Sequence, residues 1–137
     1  MVDEVVLDAT VVAKCFFREE GSEIAVPMIA SGVRLVAPEL IHAELAAIAK
    51  VKARRGETTS EIAAAAIAQL GELLNVSAPV APLAPRAAAL AKTIGCSAEE
   101  AVYLALAEQR GHPLVTADAG LVGRVTYGGF GHLIELL

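Results

Sequence analysis

The sequence has few of the residues that mark secreted, membrane or zinc-binding proteins. Its 137 residues include only two cysteines, Cys15 and Cys96, far apart and in no CxxC pair. This usage favours a reducing compartment over a disulfide framework. No apolar run approaches the roughly 18 residues of a membrane span, and the three histidines lack a zinc-like spacing. Residues 1–4 are acidic rather than basic, so we expect no secretory signal, no membrane partner and a cytoplasmic location.

Glycine-rich nucleotide loops, internal repeats and low-complexity segments are also missing. Residues 128–131 read Gly-Gly-Phe-Gly, which matches neither G-x-G-x-x-G nor a P-loop. The composition, 55% hydrophobic and 20% charged, excludes a disordered chain or a coiled coil. The length suits a single domain over residues 1–137. A formal net charge of −5 argues against bulk electrostatic attraction to nucleic acid.

Short β-like runs alternate with helical stretches, which predicts βαβ units and a mainly parallel sheet. We expect strands at 5–7, 33–36, 76–80, 114–116 and 133–136. We expect helices at 11–17, 22–31, 39–54, 58–74, 86–93, 97–110 and 119–125. Pro38 is expected to open the third helix. Thr58 with Glu61, and Ser97 with Glu100, have the spacing of capping boxes.

Four carboxylates stand at unusual places in this pattern. Asp8 directly follows the first strand and Asp118 follows the strand at 114–116. In open α/β sheets, sites form in the crevice outside the carboxyl ends of the strands, so neighbouring strands would bring these two residues together. Glu44 falls within the apolar stripe of its helix, and Glu100 lies in the first turn of a helix that is apolar all round.

Converging carboxylates indicate a metal site. Several of them would repel one another and raise each other's pKa values unless cations neutralised them. Hard oxygen ligands suit Mg²⁺ or Mn²⁺, which activate water and hold a phosphate for in-line displacement. The pattern therefore predicts phosphodiester hydrolysis. The ordinary alternatives are that Asp8, Glu100 and Asp118 only cap helices and that Glu44 lies on the surface.

Four segments, in order along the chain, resemble PIN-domain proteins. They are 5–16 with Asp8 and Thr10, 37–45 with Glu44, 97–108 with Glu100, and 111–118 with Thr116 and Asp118. The resemblance spans essentially the whole chain and is closest to the toxin ribonucleases of VapC-type toxin–antitoxin pairs.

The resemblance implies an α/β fold, a three-layer α/β/α sandwich around a central parallel sheet. It implies a Mg²⁺-dependent endoribonuclease, with Mn²⁺ as a possible substitute, that cleaves structured RNA in single-stranded loops. It also implies a homodimer held inactive by a cognate antitoxin, which would bind near the helices at 39–55 and 58–74. By motif, Asp8, Glu44 and Asp118 match the family's acidic metal ligands, and Thr10 and Thr116 match its supporting hydroxyls.

Glu100 stands where the family usually has Asp. The extra methylene moves the carboxylate by about 1.5 Å, and Mg²⁺ demands near-ideal octahedral geometry. Two hypotheses therefore stay open: an active endoribonuclease that uses all four carboxylates, or a PIN-like binding module with weakened catalysis.

Basic residues cluster at the end of the third helix. They are Lys50, Lys52, Arg54 and Arg55. Such a cluster either contacts RNA phosphates or only complements the helix dipole. Because local rather than net charge positions a phosphate backbone, the overall acidity does not exclude the first role.

Overall fold

A computed structural model describes residues 3–137, and Met1 and Val2 of the acidic N-terminal stretch lie outside the described residues. The strands are β1 (Glu4–Leu7), β2 (Arg34–Pro38), β3 (Val76–Ala78), β4 (Leu114–Thr116) and β5 (Ile134–Leu136). The helices are α1 (Ala9–Phe16), α2 (Ser22–Ala30), α3 (Ile41–Arg54), α4 (Ser60–Leu73), α5 (Ala84–Ile94), α6 (Ala98–Arg110) and α7 (Ala119–Tyr127). Short 3₁₀ turns precede α5 and β5. Within residues 3–137, no helix is both long and apolar enough to cross a membrane.

The five strands form one parallel sheet in the order β3-β2-β1-β4-β5. Its centre is β1, where Val6 pairs with Val36 of β2 on one side and with Leu114 of β4 on the other. The predicted parallel sheet is confirmed. The strand order reverses between β1 and β4, and such a switch point opens a crevice at the carboxyl ends of the strands.

Helices cover both faces of the sheet. The chain moves from β1 to β3 in one direction and from β3 through β4 to β5 in the other. Right-handed crossovers therefore place α1–α4 on one face and α5–α7 on the opposite face. Accordingly, α1 contacts α2 and α3, whereas α5 contacts α6 and α7. This confirms the three-layer α/β/α sandwich.

The core lies on both sides of the central strands. Val6, Leu7 and Leu114 are fully buried, because each strand is covered on two faces. Helix α6 is buried along the whole run 101–107, as its apolar sequence predicts. Left-handed Gly95 and Gly111 end α5 and α6, at the positions predicted from the sequence.

Several predicted boundaries are wrong by a few residues. Pro38 ends β2 instead of opening α3, because Glu39 still donates its backbone N–H to the Ala78 carbonyl at 2.7 Å and keeps the chain extended. The cap of α4 is Thr59, whose hydroxyl accepts the Ile62 N–H at 3.1 Å, so the capping box at Thr58 is wrong. Helix α5 begins two residues before the predicted start at 86, and β5 begins one residue after 133.

Candidate active site

A pocket of about 320 Å³ lies at the switch point between β1 and β4. Its walls include the four predicted carboxylates, Asp8, Glu44, Glu100 and Asp118. They come from the ends of two strands and from two helices that the sheet brings together. Their side chains point to separate partners, and within residues 3–137 no three His, Cys, Asp or Glu side chains are gathered as a preformed metal site.

Asp8 forms the floor of this pocket and is only 8% exposed. It is the N-cap of α1, where its Oδ1 accepts the backbone N–H of Thr10 at 3.1 Å and of Val11 at 3.3 Å. The hydroxyls of Thr10 and Thr116 donate to its two oxygens, each at 2.5 Å. Burial raises the pKa of Asp8, and these hydrogen bonds oppose that rise. Asp8 therefore both caps a helix and faces the pocket.

The two threonines join Asp8 to the loop after β4. The Thr10 hydroxyl accepts the Ala117 N–H at 3.1 Å. The Thr116 hydroxyl accepts the Asp118 N–H at 3.1 Å, and Thr116 is fully buried. Each hydroxyl thus accepts from the loop and donates to Asp8. This arrangement fixes Asp8 relative to Asp118.

Glu44 reaches the pocket from the first turn of α3. The helix periodicity predicts a place within the apolar stripe, and the structure leaves the residue half-buried there. Its Oε1 accepts a hydrogen bond from the Tyr103 hydroxyl at 2.5 Å. Burial raises the pKa of Glu44, the Tyr103 hydrogen bond opposes this, and the charges of Asp8, Glu99 and Glu100 raise it further. A cation in the pocket would relieve this repulsion.

Tyr103 has a role that the sequence did not predict. Its position in the core is as expected, since it is 3% exposed. Burial and the hydrogen bond to Glu44 hold the pKa of its hydroxyl far above the ordinary value. Tyr103 therefore keeps its proton at neutral pH and donates a hydrogen bond to Glu44. The available clue is that Tyr103 follows Glu100 by three residues, which puts both on one side of α6.

Glu100 uses both of its oxygens within the chain. Oε1 accepts the Ser97 N–H at 2.9 Å, while the Ser97 hydroxyl accepts the Glu100 N–H at 3.0 Å, so the predicted capping box is confirmed. Oε2 accepts a hydrogen bond from Nη2 of Arg124 at 3.1 Å. The sequence analysis did not single out Arg124, whose only clue is its place on the helix that follows Asp118.

Asp118 is the N-cap of α7 and lies exposed at the mouth of the pocket. Its Oδ1 accepts the Leu121 N–H at 3.0 Å. Among the described residues, nothing donates to Oδ2 of Asp118 or to Oε2 of Glu44, and only Thr116 donates to Oδ2 of Asp8. These three carboxylates keep oxygen lone pairs for a hard cation. The donor set therefore fits Mg²⁺ or Mn²⁺.

The basic cluster at the end of α3 divides into two kinds of residue. Lys52 is largely buried: it pairs with Glu19 and Glu57 and lies 5.7 Å from the centre of the Phe17 ring. The other three are exposed at the end of the helix, namely Lys50, Arg54 and Arg55.

A groove connects this cluster to the pocket. Lys52 and Arg55 line it together with Ala47 and Ile48, and the last two also line the acidic pocket. Along α3, Arg55 lies about 16 Å from Glu44, at 1.5 Å per residue. Lys52 and Arg55 are therefore connected to the site along one side of the helix.

Comparisons with known proteins agree with this architecture. The family model of the PIN domain matches residues 5–124. Five solved chains match, among them the crystal structure of PAE2754 from Pyrobaculum aerophilum, with a TM-score of 0.70 and 21% identity over 88% of this chain and 78% of that chain. That likeness concerns the fold, and no curated protein matches. Since the family match covers most of the sequence, this chain belongs to the PIN-domain family, whose members are typically metal-dependent nucleases.

Proposed function

We propose that this protein is a Mg²⁺-dependent endoribonuclease, with Mn²⁺ as a possible substitute, formed by a single domain over residues 1–137. The observation that carries the proposal is the acidic pocket at the β1–β4 switch point of a PIN fold, with Asp8 buried at its floor. A buried carboxylate beside further acids is costly without a neutralising cation. The proposal explains why these charges are placed together.

Asp8, Glu44 and Asp118 would hold the ion. Glu44 and Asp118 each have one oxygen with no hydrogen-bond donor among residues 3–137, and Oδ2 of Asp8 accepts only from Thr116, which leaves it a lone pair. A divalent ion supplies Lewis acidity toward the phosphate and activates water for in-line attack on phosphorus. The protein's own part is positional. Thr10 and Thr116 orient Asp8, and Tyr103 orients Glu44. Glu100 lies in the same pocket with both of its oxygens already engaged.

The substrate we propose is structured RNA, cut in a single-stranded loop. The groove from the pocket along Ala47 and Ile48 to Arg55 supports it, since positive side chains at its far end would contact the phosphate backbone. Four of the 16 acidic residues lie in the pocket itself. The net charge of −5 therefore does not oppose an RNA approaching the basic end of α3.

The biological role we propose is that of the toxin in a cytoplasmic toxin–antitoxin pair, acting as a homodimer. Its support is the sequence resemblance together with apolar side chains exposed on the α3–α4 pair. Val51 is 39% exposed, Ile62 50% and Ile67 38%. A surface of this kind suits the apolar face of an antitoxin segment.

The test is RNA cleavage with and without Mg²⁺, by the unmodified chain, Asp8→Asn and the control Asp3→Asn. Asparagine keeps the acceptor that caps α1 but removes the charge, so Asp8→Asn should fold and lose cleavage. Asp3 is exposed and outside the pocket, so the same chemical change there should leave cleavage intact. Unchanged cleavage by Asp8→Asn would refute the proposal.

The same experiment separates the second hypothesis, a PIN-like binding module. The engagement of both Glu100 oxygens by Ser97 and Arg124 favours it, because a fourth ligand would then be lost. An unmodified chain that binds RNA but does not cleave it with Mg²⁺ or Mn²⁺ would establish the binding module.

A further inference from the structure

Glu100 differs from the other three carboxylates of the pocket in what holds it. Among the described residues, Asp8, Glu44 and Asp118 accept hydrogen bonds only from hydroxyls and backbone N–H groups. Glu100 accepts from the Ser97 N–H through one oxygen and pairs with the Arg124 guanidinium through the other. The first contact belongs to the capping box of α6, so moving the Glu100 side chain toward an ion would break one of the two hydrogen bonds of that box. The same movement would break the second contact and leave the Arg124 guanidinium without its carboxylate partner.

Arg124 pairs with one of the acids and lies near a second. Its Nη2 is 3.1 Å from Oε2 of Glu100. A Cβ placed on Gly120 would be 3.2 Å from Oδ1 of Asp118 and 3.6 Å from Nη1 of Arg124, so the guanidinium also flanks the Asp118 side of the pocket. Glu100 is the only ion-pair partner of Arg124 within residues 3–137. Arg124 thus places one positive charge beside the pocket, paired with the Glu100 that lines it.

We propose that Arg124 provides the positive charge that neutralises Glu100, so that Asp8, Glu44 and Asp118 hold one divalent ion and Glu100 holds none. Arg124 is in this view a positioning residue: it keeps Glu100 in the capping box and away from the ion. The inference rests on the proposed function, because it concerns the ion of the same pocket. It resolves how a glutamate can stand at this position without distorting an octahedral site.

The test is Mn²⁺ binding to the full chain, measured by titration calorimetry and by electron paramagnetic resonance of the free ion. The unmodified chain should bind one Mn²⁺. The double variant Glu100→Gln/Arg124→Gln removes one negative and one positive charge together and keeps the capping box, because glutamine also satisfies it. It should still bind one Mn²⁺, with an affinity within about twofold of the unmodified chain, since no ligand is lost.

The single variant Arg124→Gln should act in the opposite way. It removes a cation beside the pocket and frees Oε2 of Glu100, so Mn²⁺ should bind about two- to fivefold more tightly, the range of an exposed charge pair. Arg86→Gln is the matched control, because Arg86 forms a comparably exposed pair with Glu108, and neither residue lines the pocket. That variant should leave Mn²⁺ affinity unchanged.

Three results would overturn the inference and leave the nuclease proposal standing. They are two Mn²⁺ ions per unmodified chain, a more than tenfold loss of affinity in the double variant, and an Arg124→Gln affinity equal to that of Arg86→Gln. A chain that binds no Mn²⁺ at all would overturn the metal-dependent function and this inference together. Far-UV circular dichroism of each variant checks that the fold is retained.

Discussion

The hydrogen bond from Tyr103 to Glu44 offers a direct measure of how the pocket is held together. Tyr103→Phe removes one oxygen and keeps the ring in the core, where the side chain is 3% exposed. No buried donor is left unpaired, because the lost group is the donor itself. The change therefore isolates the support that one hydroxyl gives to one carboxylate.

The loss of stability in Tyr103→Phe can be estimated from the two groups that form the hydrogen bond, a hydroxyl and a carboxylate. Hydrogen bonds to charged groups contribute about 1.5–3 kcal/mol. Glu44 is half-buried and faces an open pocket, so water can replace the hydroxyl in part. We therefore expect the free energy of unfolding to fall by about 1.5 kcal/mol, the lower end of that range. Tyr127→Phe is the control: Tyr127 is 96% exposed, so its change should stay within about 0.5 kcal/mol.

Urea unfolding in the presence of EDTA measures this change in the free energy of unfolding without any contribution from a bound ion. A second measurement, Mn²⁺ affinity, reports on orientation, because losing the partner of a metal ligand costs about 10–100-fold in affinity. We expect Tyr103→Phe to lose about tenfold. The reasoning is refuted if Tyr103→Phe matches Tyr127→Phe in both stability and Mn²⁺ affinity, since Tyr103 would then neither stabilise nor orient Glu44.

Two further predictions concern helices α3 and α4. Thr59→Ala should lower the free energy of unfolding, measured in urea, by about 1 kcal/mol, because Thr59 caps α4. Thr58→Ala is the control and should leave that free energy almost unchanged. Equal losses in the two variants would show that Thr59 is not the cap. Arg55→Ala should weaken RNA binding and reduce the slope of log affinity against log salt by about 0.7, the share of one phosphate contact on a single strand. An unchanged slope would place the RNA elsewhere.

The sequence was sufficient to predict the sheet and the pocket because both depend on local patterns. Short apolar runs predicted the parallel strands, and Asp8 and Asp118 follow two of them that turn out to be neighbours. The periodicity of α3 placed Glu44 within the apolar stripe of the helix, and the structure shows it half-buried. Each of these inferences needs only the residues within one element.

The contacts that escaped prediction join distant parts of the chain. Tyr103 meets Glu44 across two helices, and Arg124 meets Glu100 from the helix after β4. Neither pairing has a local pattern, because periodicity shows which side of a helix is apolar but not which neighbour lies against it. The prediction that Pro38 opens α3 was wrong for a related reason: Pro38 pairs in the sheet with Ala78, forty residues away in the sequence.

The structural explanation of the carboxylates, as helix caps, is compatible with the proposed functional one. Asp8, Glu100 and Asp118 each hydrogen-bond at the N-terminus of a helix. In a parallel α/β sheet, helices begin where strands end, so an acid that caps such a helix also faces the crevice above the sheet. The exposed N–H groups at a helix start favour negative charge, which lowers the cost of bringing three acids together. The helix N-termini therefore stabilise the negative charge of these acids in part. A cation bound in the pocket would neutralise the charge that remains.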